Sequence, residues 1–240
     1  MTVAPTPMRG LVLRPPHVFL LILLLFFLVL TLIFAVLLLV RDEASTTALQ
    51  GSGVSVTQTR TVPPFQTVEL AGASEVTVRV GQRQAVEVQA DDNLIDRLTT
   101  EVVGGALVIE TRGSFSTASP MTVSVTAPEL EAVTLSGSGA VRINGVNQQE
   151  FQVQLPGDGL VAVTGQVDRL EASLAGTGDA QLQELIARDV VASVPGTGRL
   201  QVYATRSLDA SVGGTGAIFY AGNPNDVKQS ITGTGAIIEQ

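Results

Sequence analysis

The sequence predicts an all-β domain, built as a solenoid of parallel β-strands, that follows a single N-terminal transmembrane helix. Three observations lead to this fold class. An uncharged run of 23 residues lies near the N-terminus, short segments of alternating polar and apolar residues begin at residue 54, and a Gly-x-Gly motif recurs every 18 to 20 residues after residue 136. Such regular recurrence is typical of architectures in which each repeat stacks on the one before it.

The transmembrane helix is predicted over residues 18–40, VFLLILLLFFLVLTLIFAVLLLV. A helix of about 20 apolar residues spans the roughly 30 Å hydrocarbon core of a bilayer. A cleaved signal peptide is the alternative, but its apolar region is normally about 7–15 residues long and ends at a small-residue cleavage site. Here the run continues directly into VRDEAST, without such a site. We therefore expect an uncleaved, single-pass anchor in the cell membrane.

The charges beside this run predict its orientation. Arg9 and Arg14 precede it without any acidic residue, whereas Asp42 and Glu43 follow it. Because basic flanks tend to remain in the cytoplasm, residues 1–17 are predicted to form a short cytoplasmic tail. The C-terminal portion is predicted to be extracytoplasmic.

Composition narrows the chemistry of this external portion. Beyond residue 40 the chain carries 12 basic and 22 acidic residues, a net charge of −10, which disfavours nucleic acid as a partner. Cysteine is absent, and the single histidine, His17, lies at the membrane entry. We therefore expect no disulfide, no His-based catalysis, no metal site and no cofactor in the external domain.

The external portion divides into a linker and one domain. Residues 41–53, RDEASTTALQGSG, are small and polar and predict a flexible linker. From residue 54 to residue 240, short alternating segments bounded by Gly, Pro, Asn or Asp predict β-strands. The segment DDNLIDRLTTEV is the one place where a short helical turn is expected, capped by Asp91 or Asp92.

Clear repeats of about 19 residues begin at residue 129, each centred on one Gly-x-Gly motif. Positions −6, −4, −2, +4 and +6 from the first glycine are apolar in all six copies, except at Glu131, Gln229 and Glu239. Alternation on both sides of a glycine pair indicates two short strands joined at a corner. The glycines concerned are Gly137, Gly139, Gly157, Gly159, Gly176, Gly178, Gly196, Gly198, Gly214, Gly216, Gly233 and Gly235.

Stacking the repeats predicts which side chains lie above one another, about 4.8 Å apart. The inward column at −4 is Val133, Val153, Ala172, Ala192, Ala210 and Gln229. The inward column at −2 is Leu135, Leu155, Leu174, Val194, Val212 and Ile231. The outward column at −3 is Thr134, Gln154, Ser173, Ser193, Ser211 and Ser230. Asp179 is predicted to lie beside Arg199, and Asp209 beside Lys228, as pairs of opposite charge.

We interpret the Gly-x-Gly motifs as structural corners. Glycine reaches positive φ at little cost and allows stacked backbones to approach closely. A dinucleotide site needs a third glycine before a helix, a phosphate loop needs Gly-Lys-Ser/Thr, and a calcium-binding roll needs recurring aspartates. The residues between the glycines meet none of these requirements: Ser138, Asp158, Thr177, Thr197, Thr215 and Thr234.

Paired carboxylates offer the remaining route to catalysis. Two such groups can hydrolyse a glycosidic bond when they lie roughly 5–9.5 Å apart. The candidates are Asp158 with Asp179, and the consecutive Asp91 and Asp92. Sparse carboxylates on an acidic surface usually contribute solubility, so we expect no catalytic residue and no enzyme activity.

Several segments, taken in their order, resemble one known family. PPFQTVELAGASEVTVRVG, VEVQADDNLIDRLTTEVVGGALVIET, VTAPELEAVTLSGSGAVRI and the recurring Gly-Thr-Gly turns are similar to the putative auto-transporter adhesin head GIN domain family of bacterial envelope proteins, over roughly residues 54–240. The resemblance implies a right-handed, single-stranded parallel β-helix. It implies no catalytic or binding residue, because the function of the family is not established.

The function expected from these observations is that of a membrane-anchored extracytoplasmic module for binding, adhesion or scaffolding in the cell envelope, with a glycan or a protein as ligand. The alternatives are a polysaccharide-acting lyase or hydrolase and an accessory component of an envelope signalling complex. Ile237 and Ile238 lie in the last repeat, near an edge that predicts a homodimer through the C-terminal end of the solenoid.

Overall fold

The computed structural model describes residues 48–240, apart from Gln82 and Ala118, as one compact unit. The predicted cytoplasmic tail (1–17), the predicted transmembrane helix (18–40) and the first part of the predicted linker (41–47) lie outside the described residues. Within the part that is described, no helix has the length and apolar character needed to cross a membrane.

Residues 48–240 are almost entirely β-structure, as predicted. A single 3₁₀ helix, Ile95–Arg97, interrupts the strands of this part of the chain. The strands are β1 (Leu49–Gln50), β2 (Ser55–Arg60), β3 (Thr67–Leu70), β4 (Glu75–Val80), β5 (Ala85–Asp91), β6 (Leu98–Val103), β7 (Ala106–Thr111), β8 (Phe115–Ser116), β9 (Thr122–Ala127), β10 (Ala132–Leu135), β11 (Ala140–Leu155), β12 (Leu160–Leu174), β13 (Asp179–Val194), β14 (Arg199–Val212), β15 (Ala217–Ala221), β16 (Asp226–Ile231) and β17 (Ala236–Glu239).

The strands coil into a β-solenoid of about five turns, which confirms the predicted architecture at this level. From β10 onwards, every pairing between consecutive turns is parallel. The pairings among the long strands β11 to β14 contain register shifts, one between β11 and β12, one between β12 and β13, and two between β13 and β14. The two halves of β11 and of β14 pair with different short strands, so each of these long strands contributes to two sides of the coil. The −4 column pairs residue by residue as predicted: Val133, Val153, Ala172, Ala192, Ala210 and Gln229.

The inward columns form the core of the solenoid. Their apolar members are buried in every turn up to β15, so successive turns share one continuous apolar interior. Each buried Val or Leu of these columns stabilises the fold by about 1.5–3 kcal/mol relative to its exposed state, and each alanine by less than about 1 kcal/mol. The last turn differs because no further turn covers it among the described residues. There Val227 is 39% and Ile231 is 48% exposed.

The N-terminal part of the domain departs from the simple coil expected from residue 54. β3 and β4 pair with β10 and β11 on one side and with β7 and β9 on the other, all in parallel. The layer of β7 and β9 is therefore outermost in space, although β3 and β4 come first in the chain. Antiparallel strands cover this layer: β6 pairs with β7, β5 pairs with β9, and β2 pairs with β5.

A glycine pair explains the antiparallel hairpin of β6 and β7. Gly104 and Gly105, between β6 and β7, have φ angles of +58° and +84°. Two consecutive residues with positive φ favour the type I′ turn that joins antiparallel strands. The prediction of parallel turns alone is thus wrong for β2, β5 and β6. A short turn returns the chain from β6 to β7, whereas β2, β5 and β9 are antiparallel partners that lie further apart in the sequence.

The helical turn predicted in DDNLIDRLTTEV is present, but its predicted capping is wrong. Leu94 occupies the N-cap position of Ile95–Arg97 and makes no side-chain capping bond. Asp92 instead accepts a hydrogen bond from the Ser52 hydroxyl, and the buried Asp91 accepts one of 2.9 Å from the hydroxyl of Thr117. Both carboxylates are thus directed away from the first turn of the helix.

The end of the predicted linker is bound to the domain. β1 pairs in parallel with β8, and Gly51 N–H donates to the carbonyl oxygen of Ser116 at 2.7 Å. Asn93 holds the same segment through both atoms of its amide: it accepts from Ser52 N–H at 3.0 Å and donates to the carbonyl of Gln50 at 2.8 Å. We call residues 48–53 the N-terminal strap.

Candidate binding face

The twelve glycines of the six motifs lie at the corner between the two strands of each turn. A Cβ atom added to any of them would come within 3.0 Å of a backbone carbonyl oxygen in the preceding turn, a separation that real Cβ atoms essentially never show. None of the twelve has a φ angle in the positive range. Close approach of the backbones therefore explains these glycines, and the expectation that positive φ contributes at these corners is wrong.

The hydrogen-bond ladder continues around this corner. Asp158 N–H donates to the carbonyl of Gly137 at 3.2 Å, and Thr197 N–H donates to that of Gly176 at 3.1 Å. The neighbouring turns thus satisfy backbone groups at this corner. The six residues between the glycines are all exposed. The corner thus presents an exposed row of mostly hydroxyl-bearing residues.

An open groove of about 410 Å³ runs beside the corner and contains the predicted carboxylate pair. Asp158 and Asp179 both line it, together with Glu75 from β4, which sequence reasoning missed. Asp91 and Asp92, the other predicted pair, lie near the N-terminal strap. Among the described residues, no group of three or more His, Cys, Asp and Glu side chains is arranged to hold a metal ion.

The predicted charge pairs align in register without forming ion pairs. Asp179 pairs with Arg199 along the ladder, but its Oδ2 accepts a 3.0 Å hydrogen bond from Gln181 Nε2. The Arg199 guanidinium lies over the ring of Phe219, 5.5 Å from its centroid. Asp179 Oδ1 is buried and has no hydrogen-bond partner within the described part of the chain. Asp209 and Lys228 are also aligned, and no ion pair forms between them.

The ion pairs of this part of the solenoid lie at a different corner. Arg206 forms a two-pronged ion pair with Asp189, with Nε donating to Oδ1 at 2.7 Å. The hydrogen bonds from Arg206 and from the Ser207 hydroxyl lower the pKa of Asp189 to about 2. Arg188 and Asp168 form a second pair at 3.4 Å. These ion pairs could not be predicted by aligning the repeats on Gly-x-Gly, because they lie beyond or within the shifts in register.

The outer side of the second strand of each turn carries amide, aromatic and charged side chains. Gln181, Gln201 and Phe219 stack in one column, since each is the register partner of the next. Tyr203 follows Gln201 by two residues on β14 and therefore points to the same side. Asp179 and Arg199 begin β13 and β14 and lie beside these four residues. We call the six residues together the aromatic face: Asp179, Gln181, Arg199, Gln201, Tyr203 and Phe219.

The two aromatic side chains of this face were missed by sequence reasoning. Phe219 and Tyr203 are partly exposed, whereas Phe65, Phe151 and Tyr220 are buried. The available signal was their position: Phe219 lies five residues after the first glycine of its motif, an outward position in the repeat. Exposed rings in a domain with few aromatic residues are typical of binding surfaces.

A second unusual surface lies at the C-terminal end of the solenoid. All six residues of β16 are exposed, and Ile238 of β17 is 42% exposed. β16 pairs only with β14, and β17 pairs only with β15, within the residues described. Their other edges therefore present unpaired backbone groups next to apolar side chains.

Comparison with known proteins identifies the fold. The family model described as putative auto-transporter adhesin, head GIN domain, matches residues 64–224. No curated protein matches the chain. Among solved structures, a putative adhesin from Bacteroides fragilis is 22% identical, with a TM-score of 0.67, covering 80% of this chain and all of its own.

Two further solved structures come from Parabacteroides distasonis. A putative lipid binding protein is 24% identical, with a TM-score of 0.49, over 80% of this chain and 99% of its own. A putative adhesin is 20% identical, with a TM-score of 0.46, over 80% of this chain and all of its own. At 22% identity, the Bacteroides fragilis structure supports the fold alone.

Proposed function

Since the chain belongs to the family described as putative auto-transporter adhesin, head GIN domain, we propose that it is a membrane-anchored extracytoplasmic binding module of the cell envelope. The observation that carries this proposal is the aromatic face. It combines two partly exposed rings with amide, carboxylate and guanidinium groups on a rigid parallel sheet. Aromatic and Arg side chains on a rigid surface are the residue types that contribute most to recognition.

The anchoring part of this proposal depends on residues 18–40. The length of this uncharged run and the basic residues before it support a single-pass helix with the domain outside the cytoplasm. We also infer that the coil is right-handed, since connections between parallel strands of one sheet are right-handed in about 98% of cases.

A cross-linking experiment on intact cells tests the proposal. Cells that express the full anchored chain are treated with an impermeant cross-linker, and the protein is recovered with its partners. We expect Tyr203→Ala to lose most of the captured material, because the change removes one ring of the aromatic face. Gln154→Ala is the matched control, since Gln154 is exposed on the first strand of its turn. Equal capture by both variants, or no capture by the unaltered protein, would contradict the proposal.

A polysaccharide-acting enzyme is the second candidate, and one observation favours it. Glu75, Asp158 and Asp179 line the same open groove, so carboxylates of the kind that glycosidases use lie together. The test is to incubate the full chain with cell-wall and acidic polysaccharides and to measure the release of reducing ends. Turnover that is lost in Asp158→Ala would favour the enzyme. Binding without turnover would favour the module.

We further propose that two copies associate through the C-terminal end of the solenoid. Exposed strand edges promote pairing between chains, and here the edge adjoins exposed Val227, Ile231 and Ile238. Light scattering of the full chain in detergent is expected to give the mass of a dimer. Ile231→Asp, which places a charge among these side chains, is expected to give a monomer. A monomeric unaltered protein would contradict this association.

A further inference from the structure

The aromatic face repeats along the axis of the solenoid. Gln181, Gln201 and Phe219 occupy equivalent positions in three consecutive turns, and Asp179 and Arg199 form a parallel column beside two of them. Neighbouring turns are separated by about 4.8 Å, the spacing of paired strands. A ligand that lies along this column therefore meets two amide side chains and then an aromatic ring at regular intervals.

The side chains of this face are suited to sugars. Amide, carboxylate and guanidinium groups are planar and offer paired hydrogen-bonding atoms, which match the adjacent hydroxyls on the rim of a pyranose ring. The rings of Tyr203 and Phe219 provide apolar area with little conformational freedom, which suits the C–H surface of the same sugar. A peptide strand would instead require free backbone groups, and on this face the backbone groups pair within the sheet.

The charge of the face favours a neutral ligand. Asp179 and Arg199 are adjacent and of opposite sign, so their charges balance. The external part of the chain is strongly acidic, which disfavours a polyanion. Asp179 also lines the open groove, where its Oδ2 accepts a hydrogen bond from Gln181 Nε2 at 3.0 Å, so the carboxylate and the amide are held beside one another.

We propose that the aromatic face binds a neutral, extended polysaccharide chain of the chitin or cellulose kind, which runs along the solenoid axis with one sugar per turn. Such a chain is a flat ribbon that advances per sugar by nearly the distance between turns, roughly 4.8 Å. Successive sugars therefore lie over Gln181, Gln201 and Phe219. This inference rests on the proposed function as a binding module and specifies its ligand class.

Calorimetric titration of the full chain in detergent micelles tests the inference, with chitohexaose and cellohexaose as probes. Maltohexaose, which is coiled rather than extended, serves as the control of spacing. At least one extended hexasaccharide is expected to bind more tightly than maltohexaose. Phe219→Ala and Gln201→Ala are each expected to weaken this binding by about tenfold. Gln154→Ala, a matched change on the other strand of the turn, is expected to leave it unchanged.

Three results would overturn the inference. These are absence of binding by both extended hexasaccharides, equal binding of maltohexaose, and unchanged affinity in both Phe219→Ala and Gln201→Ala. If neither hexasaccharide binds while capture on intact cells still depends on Tyr203, the ligand class is wrong and the proposed function stands. If capture is also independent of Tyr203, the proposed function fails as well.

Discussion

Replacing Gly214 by alanine is expected to destabilise the solenoid, whereas the same change at the adjacent Gly213 is not. A Cβ atom on Gly214 would come within 3.0 Å of the carbonyl oxygens of Gly196 and Pro195. Both obstacles are backbone atoms, so no side chain can rotate away. On Gly213 the nearest atoms would be Pro195 Cα at 3.6 Å and Thr232 Oγ1 at 3.8 Å, which is ordinary contact.

The magnitude follows from the hydrogen bonds at this corner. To accept the new methyl group, the two turns have to separate locally by on the order of 1 Å. Gly216 N–H donates to the carbonyl of Gly196 at 3.2 Å, and Gly214 N–H donates to that of Val194 at 3.4 Å. Losing both bonds costs about 2 kcal/mol, and the remaining strain adds about 1–3 kcal/mol. The reduced entropy of the unfolded chain returns about 0.4–1 kcal/mol in either variant.

Urea unfolding of the full chain in detergent, followed by circular dichroism, measures the difference. We expect Gly214→Ala to lower the free energy of unfolding by about 2–5 kcal/mol. Gly213→Ala should be neutral or more stable by up to about 1 kcal/mol. Equal unfolding midpoints for the two variants would refute the account of the corner glycines, because only the close approach of the backbones distinguishes the two sites.

Two further predictions concern side chains outside the corner. Asp189→Asn should lower stability at pH 7 by about 1–2 kcal/mol, because it removes a charged hydrogen-bond acceptor of Arg206. The pKa of Asp189 is lowered to about 2, so this contribution is present above about pH 4, the ordinary range of an aspartate, and is lost as the pH falls towards 2. If the stability difference between Asp189→Asn and the unaltered protein persists at pH 2, the ion pair with Arg206 is not its cause. Asp168→Asn is the control: it alters an exposed ion pair and should lower the free energy of unfolding by less than about 1 kcal/mol. Asn93→Ala should release the N-terminal strap, seen as faster hydrogen exchange at Gly51 and Ser52, and unchanged exchange there would show that β1 alone holds the strap.

The repeated part of the domain was readable from the sequence because one constraint recurs in every turn. Alternation around Gly-x-Gly places one side of each strand in the core, and a slip by one residue would expose all its apolar side chains. This is why the column from Val133 to Ala210 was predicted in the correct register. Positive φ was not found at these glycines. The spacing of the motif indicates positions where a Cβ atom is disfavoured, but it does not show whether positive φ or close approach of the backbones is the cause.

The order of the N-terminal strands and the side-chain contacts of the aromatic face could not be predicted from the sequence, because they depend on single contacts that do not recur from turn to turn. The outermost position of β7 and β9 is set by pairing across a long sequence separation, for which the chain offers no repeat to align. Arg199 was assigned to Asp179 from register alone, but stacking on Phe219 and the hydrogen bond from Gln181 to Asp179 settle the side-chain positions. The aromatic face was missed for a related reason: outward positions vary from turn to turn, so each looks like ordinary surface.

The parallel, in-register stacking of turns is the claim on which the account depends, and engineered disulfides test it most directly. The chain has no cysteine, so a pair can be introduced without a background. Ser193 and Ser211 are register partners whose hydroxyl oxygens lie 3.2 Å apart. Stacked Cα atoms about 4.8 Å apart fall within the range that a disulfide bridges.

The measurement is the number of free thiols after mild oxidation of the full chain, counted by mass after alkylation. Ser193→Cys with Ser211→Cys is expected to leave no free thiol. Ser173→Cys with Ser211→Cys, two turns and roughly 9.6 Å apart, is expected to leave two. Efficient bridging of the second pair, or failure of the first, would contradict the stacked solenoid.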